Sequence, residues 1–241
     1  MAALYAGTSG FAYPAWKPEF YPKKVPQTRF LEHYGSRLNS VEINYTFRQN
    51  PKATTLEKWV AQTPESFTFS VKAHQRITHF TRLKEESAQP TEYFLNAIKP
   101  LRDAGRLGVV LFQLPPNMKK DLERLERFLP LLPEGMRYAF EFRNETWFDD
   151  DVYEALRRRN ICFCQAESDT LEAPKAVTAD FVYFRLRKSD YSAEDRTAIQ
   201  AEVEHLLADG RSVFLYFKHE DTPAGALYAE EMIASLGGRV G

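Results

Sequence analysis

At 241 residues, 44% of them hydrophobic, the chain holds material for one sizeable core and leaves little for a second domain. Its formal net charge of −1 excludes a molecule drawn as a whole to nucleic acid or to an acidic membrane surface. No apolar stretch approaches the roughly 20 residues that span a bilayer, and no basic segment followed by an apolar run opens the chain, so a cytoplasmic setting without membrane contact is expected.

Eight short apolar runs follow in order, beginning at Leu4, Ser40, Phe67, Leu107, Tyr138, Ile161, Phe181 and Ser212. Their starts lie roughly thirty residues apart, the length of one strand-plus-helix unit. Helical patterning fills the intervals at 30–39, 51–62, 91–104, 119–132, 149–159, 193–208 and 223–236. Thr222 can cap the last of these, with Pro223 at the first helical position and Gly237 in the closing turn. Basic residues close several segments, where cations complement the helix dipole. The Arg157–Arg158–Arg159 run is one of them.

Two connections are irregular. Residues 11–29 carry four prolines and five aromatics, too many prolines for a helix and too many rings for a solvated linker. A packed loop over the mouth of the fold is expected there. Residues 170–180 are too few for a full helix. Cys162 and Cys164, two apart on one run, are poorly placed to bridge and have no second pair for a zinc site, so they read as buried thiols. The alternation of strand and helix predicts an α/β protein, a (β/α)8 TIM-type barrel formed as a single domain by residues 1–241 and irregular between strands 6 and 7. A doubly wound sheet is the alternative fold, but no G-x-G-x-x-G or P-loop sequence supports nucleotide binding of that type.

The polar chemistry gathers where the runs end, at Ser9, Glu42, Lys72, His74, Gln113, Glu141, Arg143, Glu167, Arg185, Arg187 and His219. In a barrel that end binds ligands. Alternation puts Glu42 with Asn44, Lys72 with His74, Glu141 with Arg143, and Tyr183 with Arg185 and Arg187 on shared faces. Converging carboxylates and cations shift one another's protonation, as acid–base catalysis requires, but the same groups can form ion pairs that merely fill a barrel. A glycosidase pair built from Glu42 with Glu141 or Glu167 departs from the familiar placement, because the fourth run ends in Gln113 and the seventh in arginine. Of five histidines only His74 and His219 stand at strand ends, so no metal is expected, and no other cofactor either. Lys72 is the candidate for a Schiff-base lysine, against the plainer reading of a buried lysine paired with Glu42. Arg185, Arg187, Lys188 and Lys218 gather where barrels often hold phosphate, with Glu220 and Asp221 opposing an anion in the same loop.

The motifs GTSGFAYPAW with EFYP, VEINYTF, WVAQTPESFTFSVKA, LGVVLFQLPP, EFRNETWF, YFRLR and YFKHED…GALYAEEM cover the chain nearly end to end. In them the sequence resembles the YecE-like family, known as domain of unknown function 72. The resemblance implies a (β/α)8-type barrel and no established reaction. It points to Ser9, Glu42, Asn44, Lys72, Gln113, Glu141, Arg143, Tyr183 and Arg185 as the site. Two departures from the commonest family pattern make this mouth more basic than usual. Arg187 and Lys188 replace a His-Gly pair, and Lys218 and His219 replace paired asparagines. The implied fold also looks like that of barrel endonucleases acting at abasic sites, whose metal ligands are not evident in this chain.

The leading expectation is an enzyme or former enzyme acting on a small anionic, phosphate- or sugar-containing ligand. Glu42, Lys72 and Glu141 are the catalytic candidates, a glutamate as acid/base and Lys72 as its electrostatic partner. Ser9, Asn44, His74, Gln113, Arg143, Trp147, Tyr183, Arg185, Arg187, Lys218 and His219 are the ligand-binding candidates. Two alternatives stay open. One is a nucleic-acid-binding barrel in which Tyr13, Trp16 and Trp147 stack on bases while Lys23, Lys24, Arg187 and Lys188 meet phosphates. The other is a non-catalytic adaptor that binds protein.

Overall fold

The computed structural model describes residues 2–218 and 220–236, and every one of the eight apolar runs forms strand. The strands are β1 (Leu4–Thr8), β2 (Ser40–Ile43), β3 (Thr68–Lys72), β4 (Leu107–Gln113), β5 (Arg137–Glu141), β8 (Phe181–Arg187) and β9 (Ser212–Phe217). The sixth run is split at Cys164 into β6 (Cys162–Phe163) and β7 (Gln165–Ser168). Helices α1 (Phe30–Gly35), α2 (Ala53–Ala61), α5 (Leu122–Phe128), α6 (Asp150–Arg157), α7 (Ala193–Ala208) and α8 (Ala224–Ser235) fall inside the expected segments. The segment expected at 91–104 is instead two helices, α3 (Ala88–Ala97) and α4 (Lys99–Asp103). Pro100 cannot donate to the preceding turn, and it sits in the first turn of the second helix. Pro223 is the cap of α8 rather than its first helical residue, and no side chain bonds the helix start. Gly237, expected to close that helix, lies outside the described residues.

All strand pairing is parallel, in two sheets ordered β2-β3-β4-β5-β6 and β1-β9-β8-β7. The order runs consecutively, without the reversal that defines a doubly wound sheet. Side chains join the sheet edges. Between β1 and β2, Asn39 donates to the Leu4 carbonyl (2.7 Å) and accepts from the Ala6 N–H (2.9 Å). Tyr34 accepts from the Thr8 N–H (2.8 Å) and donates to the Ser40 carbonyl (3.0 Å). A single parallel bridge, Ser9 to Glu42, follows at the C-terminal end of this seam. Beside β6, Thr178 accepts from the Phe163 N–H (2.7 Å) and donates to the Ile161 carbonyl (2.7 Å). As expected from its length, the connection from β7 to β8 contains no helix.

Alternation sorts the apolar side chains. Val41, Phe69, Phe112, Phe140 and Leu215 pack with helix residues in the larger cluster. Leu111, Ala139, Cys164, Tyr183 and Tyr216 belong to a smaller cluster to which, among the described residues, no helix contributes. Cys162 and Cys164 are free and buried, and burial pushes the Cys162 thiol up to about 12. In the 11–29 loop Trp16, Phe20 and Tyr21 are buried, with Tyr21 stacked on Phe30 at 4.0 Å between ring centres. Among the described residues no helix is long and apolar enough to cross a membrane.

Candidate functional site

Beyond the smaller apolar cluster, charged side chains from three strands meet. Glu42 of β2, Glu141 of β5 and Arg185 of β8 are all buried. Glu42 is held by four donors. Ser9 Oγ (2.7 Å) and Arg185 Nη2 (2.8 Å) donate to its Oε1, while Tyr183 Oη (2.7 Å) and Arg185 Nε (2.9 Å) donate to its Oε2. A carboxylate offers about four lone-pair sites, so all are filled. Glu141 accepts from Arg185 Nη1 on one oxygen and from Arg143 Nε (2.7 Å) on the other, with Arg187 Nη1 3.7 Å away. The fork of Arg185 thus clamps two carboxylates from strands far apart in sequence.

Electrostatics fix the protonation of this cluster. Burial works to raise the Glu42 carboxyl, but Arg185 and the bonds from Ser9 and Tyr183 bring it below its ordinary value. Burial also opposes ionisation of Glu141, yet Arg185, Arg143 and Arg187 together hold it down to about 2. Both carboxylates are therefore ionised at neutral pH.

Lys72, at the end of β3, stands apart from this arrangement. Its Nζ donates to Gln113 Oε1 (2.6 Å) rather than to Glu42, the partner expected for a structural lysine. It packs 4.0 Å over the Phe47 ring. Gln113 in turn donates from Nε2 to the Leu114 carbonyl (3.3 Å), which turns its amide oxygen toward the lysine. Burial, then the Arg185 charge, push the amine down to about 7 against the pull of Glu141 and Glu42.

Other expected residues are dispersed. His74 lies two residues beyond the end of β3, where strand alternation no longer sets direction. Its ring bonds the Arg48 carbonyl (3.2 Å) and the Arg76 N–H (3.1 Å) and joins no charged cluster. Trp147 is fully buried with its N–H donated to the Met118 carbonyl (2.7 Å), so it forms part of the wall behind the site. Trp16 is also fully buried, so neither indole offers a face to a base. Asn44 is half-buried, its Oδ1 enclosed without a hydrogen-bond partner. The basic cluster expected at the ends of β8 and β9 does not form as a unit. Arg185 turns inward, Lys188 pairs with Glu167 (3.1 Å) and Lys218 pairs with Glu220 (3.5 Å). His219 lies outside the described residues. The Arg157–Arg158–Arg159 run lines a separate cleft of about 710 Å³ near the opposite strand ends, where Arg158 pairs with Glu126 (2.5 Å).

A cleft of about 620 Å³ adjoins the ion cluster, lined by Glu141, Arg143, Asn144, Glu167, Ser168 and Arg187, among others. Within it Arg187 Nε and Glu167 Oε1 are enclosed without a hydrogen-bond partner. Sequence reasoning places Glu167 at a strand end without assigning it to the site, and it misses Phe47 entirely. The alternation from Gln165 carries the signal for Glu167, whereas nothing in the spacing marks Phe47. Among the described residues no group of three or more His, Cys, Asp or Glu side chains is placed to hold a metal ion.

Comparison with known proteins bears on the family and the fold. The chain is 31% identical over 169 residues to UPF0759 protein YunF of Bacillus subtilis, covering 68% of this chain and 57% of that protein. It is 32% identical over 159 residues to UPF0759 protein YecE of Escherichia coli, covering 66% and 55%. The matched segment thus spans little more than half the length of these curated relatives. A crystal structure of a DUF72 family protein from Thermotoga maritima superimposes with a TM-score of 0.84 at 27% identity, covering 97% of this chain and 99% of that one. Residues 5–240 match the family described as "Protein of unknown function DUF72", and to that family this chain belongs.

Proposed function

We propose that the chain is a single (β/α)8-type barrel, irregular between its sixth and seventh staves, that binds or acts on a small anionic ligand at the C-terminal ends of its strands. The phosphate- or sugar-containing class suits the cleft. Consecutive parallel order supports the barrel, as do the side-chain joints at the sheet edges. The bond from the Cys164 N–H to the Phe140 carbonyl (2.8 Å), which carries β6 on toward β7, points the same way.

The observation that carries the ligand reading is a charge imbalance. Three guanidinium groups, Arg143, Arg185 and Arg187, meet two carboxylates, Glu42 and Glu141, while Glu167, the other partly buried carboxylate of the cleft, pairs with Lys188, so one positive charge is in excess. Arg187 is partly exposed, only 3.7 Å from a carboxylate already shared with Arg185 and Arg143, and its enclosed Nε has no hydrogen-bond partner, so an anion against it would balance the excess. In this reading Glu42 and Glu141 orient Arg185 instead of moving protons: Glu42 has its lone pairs filled, and Glu141 is held ionised by three arginines, so neither is a ready acid. Arg143 and Arg187 are the anion clamps, Glu167 accepts from a ligand hydroxyl, and Lys72 is the group able to exchange a proton. Two of the three rings that a nucleic-acid reading would stack on bases, Trp16 and Trp147, are buried and only Tyr13 is half-buried, which counts against that reading.

Thermal unfolding with inorganic phosphate and with D-ribose 5-phosphate tests this. At roughly a hundredfold excess over Kd, one site stabilises by about 2.7 kcal/mol, or about 5–10 °C for a chain of this size. Arg187→Ala, whose side chain is partly exposed, should leave the ligand-free melting temperature within about 4 °C and remove the phosphate shift. An equal shift in wild type and variant, or none in wild type, would refute the site.

A further inference from the structure

We propose that Lys72 is a carbonyl-condensing nucleophile whose ε-amine forms an imine with the aldehyde or ketone carbon of an anionic sugar held at this site. The proposal deepens the anion-binding reading above and rests on it. A lysine kept for structure is expected to lie against a carboxylate, and here both nearby carboxylates are committed to arginine. Lys72 instead meets a neutral amide whose oxygen is turned toward it. An uncharged amine can still donate one N–H to Gln113 Oε1 while keeping its lone pair free.

The groups acting on Lys72 come from every side. Glu42 stands on β2, Glu141 and Arg143 at the end of β5, and Arg185 on β8. His79, beyond β3, feels the lysine in return and is lowered by burial, Lys72 and Arg143. The Phe47 ring, which also contacts His79 at 4.9 Å between ring centres, covers the amine on another side. Two carboxylates already matched by three arginines leave the Phe47 ring as the main further support for a fourth cation, so at neutral pH about half of the amine is free base. This is the condition a nucleophilic lysine requires at neutral pH.

The chemistry needs no further reagent. The Nζ lone pair attacks the carbonyl carbon, a C–N bond forms, and the carbonyl π pair moves to oxygen. That oxygen then leaves as water with the two protons lost from nitrogen, and a C=N bond remains. Amine and carbonyl are consumed, and imine and water are produced.

The test uses the native protein with D-ribose 5-phosphate and sodium borohydride at pH 7, followed by peptide mapping by mass spectrometry. The expected result is a reduced adduct at Lys72 at least tenfold above that at any other lysine, absent in Lys72→Met. Label spread evenly over surface lysines overturns the proposal. If phosphate still raises the melting temperature but Lys72 is not labelled, the nucleophile falls and the anion reading stands. Selective labelling that inorganic phosphate does not suppress supports the nucleophile and counts against the anion reading. Competitive acetylation between pH 5 and 11 provides a second readout. Lys72 should reach half its maximal reactivity near pH 7, and titration together with surface lysines near 10 would overturn the proposal as well.

Discussion

A glutamate with four donors around it has nothing left to offer a substrate, and Glu42 is such a residue. Glu42→Gln should destabilise the protein by about 3–5 kcal/mol in urea unfolding, because Arg185 stays buried with half its compensation gone. The two titrations at this site both make stability rise with pH, in separate windows. Glu141 is held at about 2, below its unfolded value, so its contribution is complete above about pH 5 and is lost as pH falls toward 2. Acid should therefore remove about 3 kcal/mol through this group alone. Lys72 is lowered to about 7, so between there and about 10 the unfolded chain binds the additional proton and stability rises with pH. Between pH 7 and 9 the urea midpoint of wild type should climb, while that of Lys72→Met should stay flat. At this scale the sequence was half legible. Alternation puts Glu42, Lys72, Glu141 and Arg185 on one face, but partner choice joins strands up to 143 residues apart, and no local spacing encodes it. His74 shows the limit of the rule, since a residue past the strand end is no longer aimed by the pleat.

Among the elements, the seam between β1 and β2 depends on backbone that carries no side chain. A Cβ at Gly7 would stand 1.9 Å from the Ser40 carbonyl oxygen and 2.7 Å from the Tyr34 hydroxyl, which itself bonds both strands. Gly7→Ala should cost on the order of 1–3 kcal/mol or more and lower the melting temperature accordingly. A variant that melts with wild type would show that the seam tolerates being spread. The strands were the most legible part of the sequence, because period-2 alternation between strong apolar runs survives any loop geometry. Helix boundaries were less so. Pro100 divides one expected helix, while Asn39, Tyr34 and Thr178 replace ladder bonds with side-chain bonds, a role that no composition rule reveals. The 11–29 loop reads correctly as packed because so many rings cannot remain in water, and Trp16, Phe20 and Tyr21 are indeed buried.

For the molecule as a whole, a net charge near zero hides local asymmetry, with five arginines and two carboxylates around one cleft and a mixed lining of both signs around another. Composition reports the sum, and only the fold distributes it. The connection between β7 and β8 carries no helix. There a cleft of about 170 Å³ remains between these strands and α7, bordered by Gln165, Glu167, Phe184, Leu186 and Ile199. With no helix in the connection that follows it, and at the end of its sheet, β7 should open more readily than β4 or β9, so its amides should exchange with deuterium first. Because Glu167 sits on that strand and lines the cleft proposed to hold an anion, an occupant there would act as a latch, and slowed exchange across 165–168 would record its arrival without any turnover being measured.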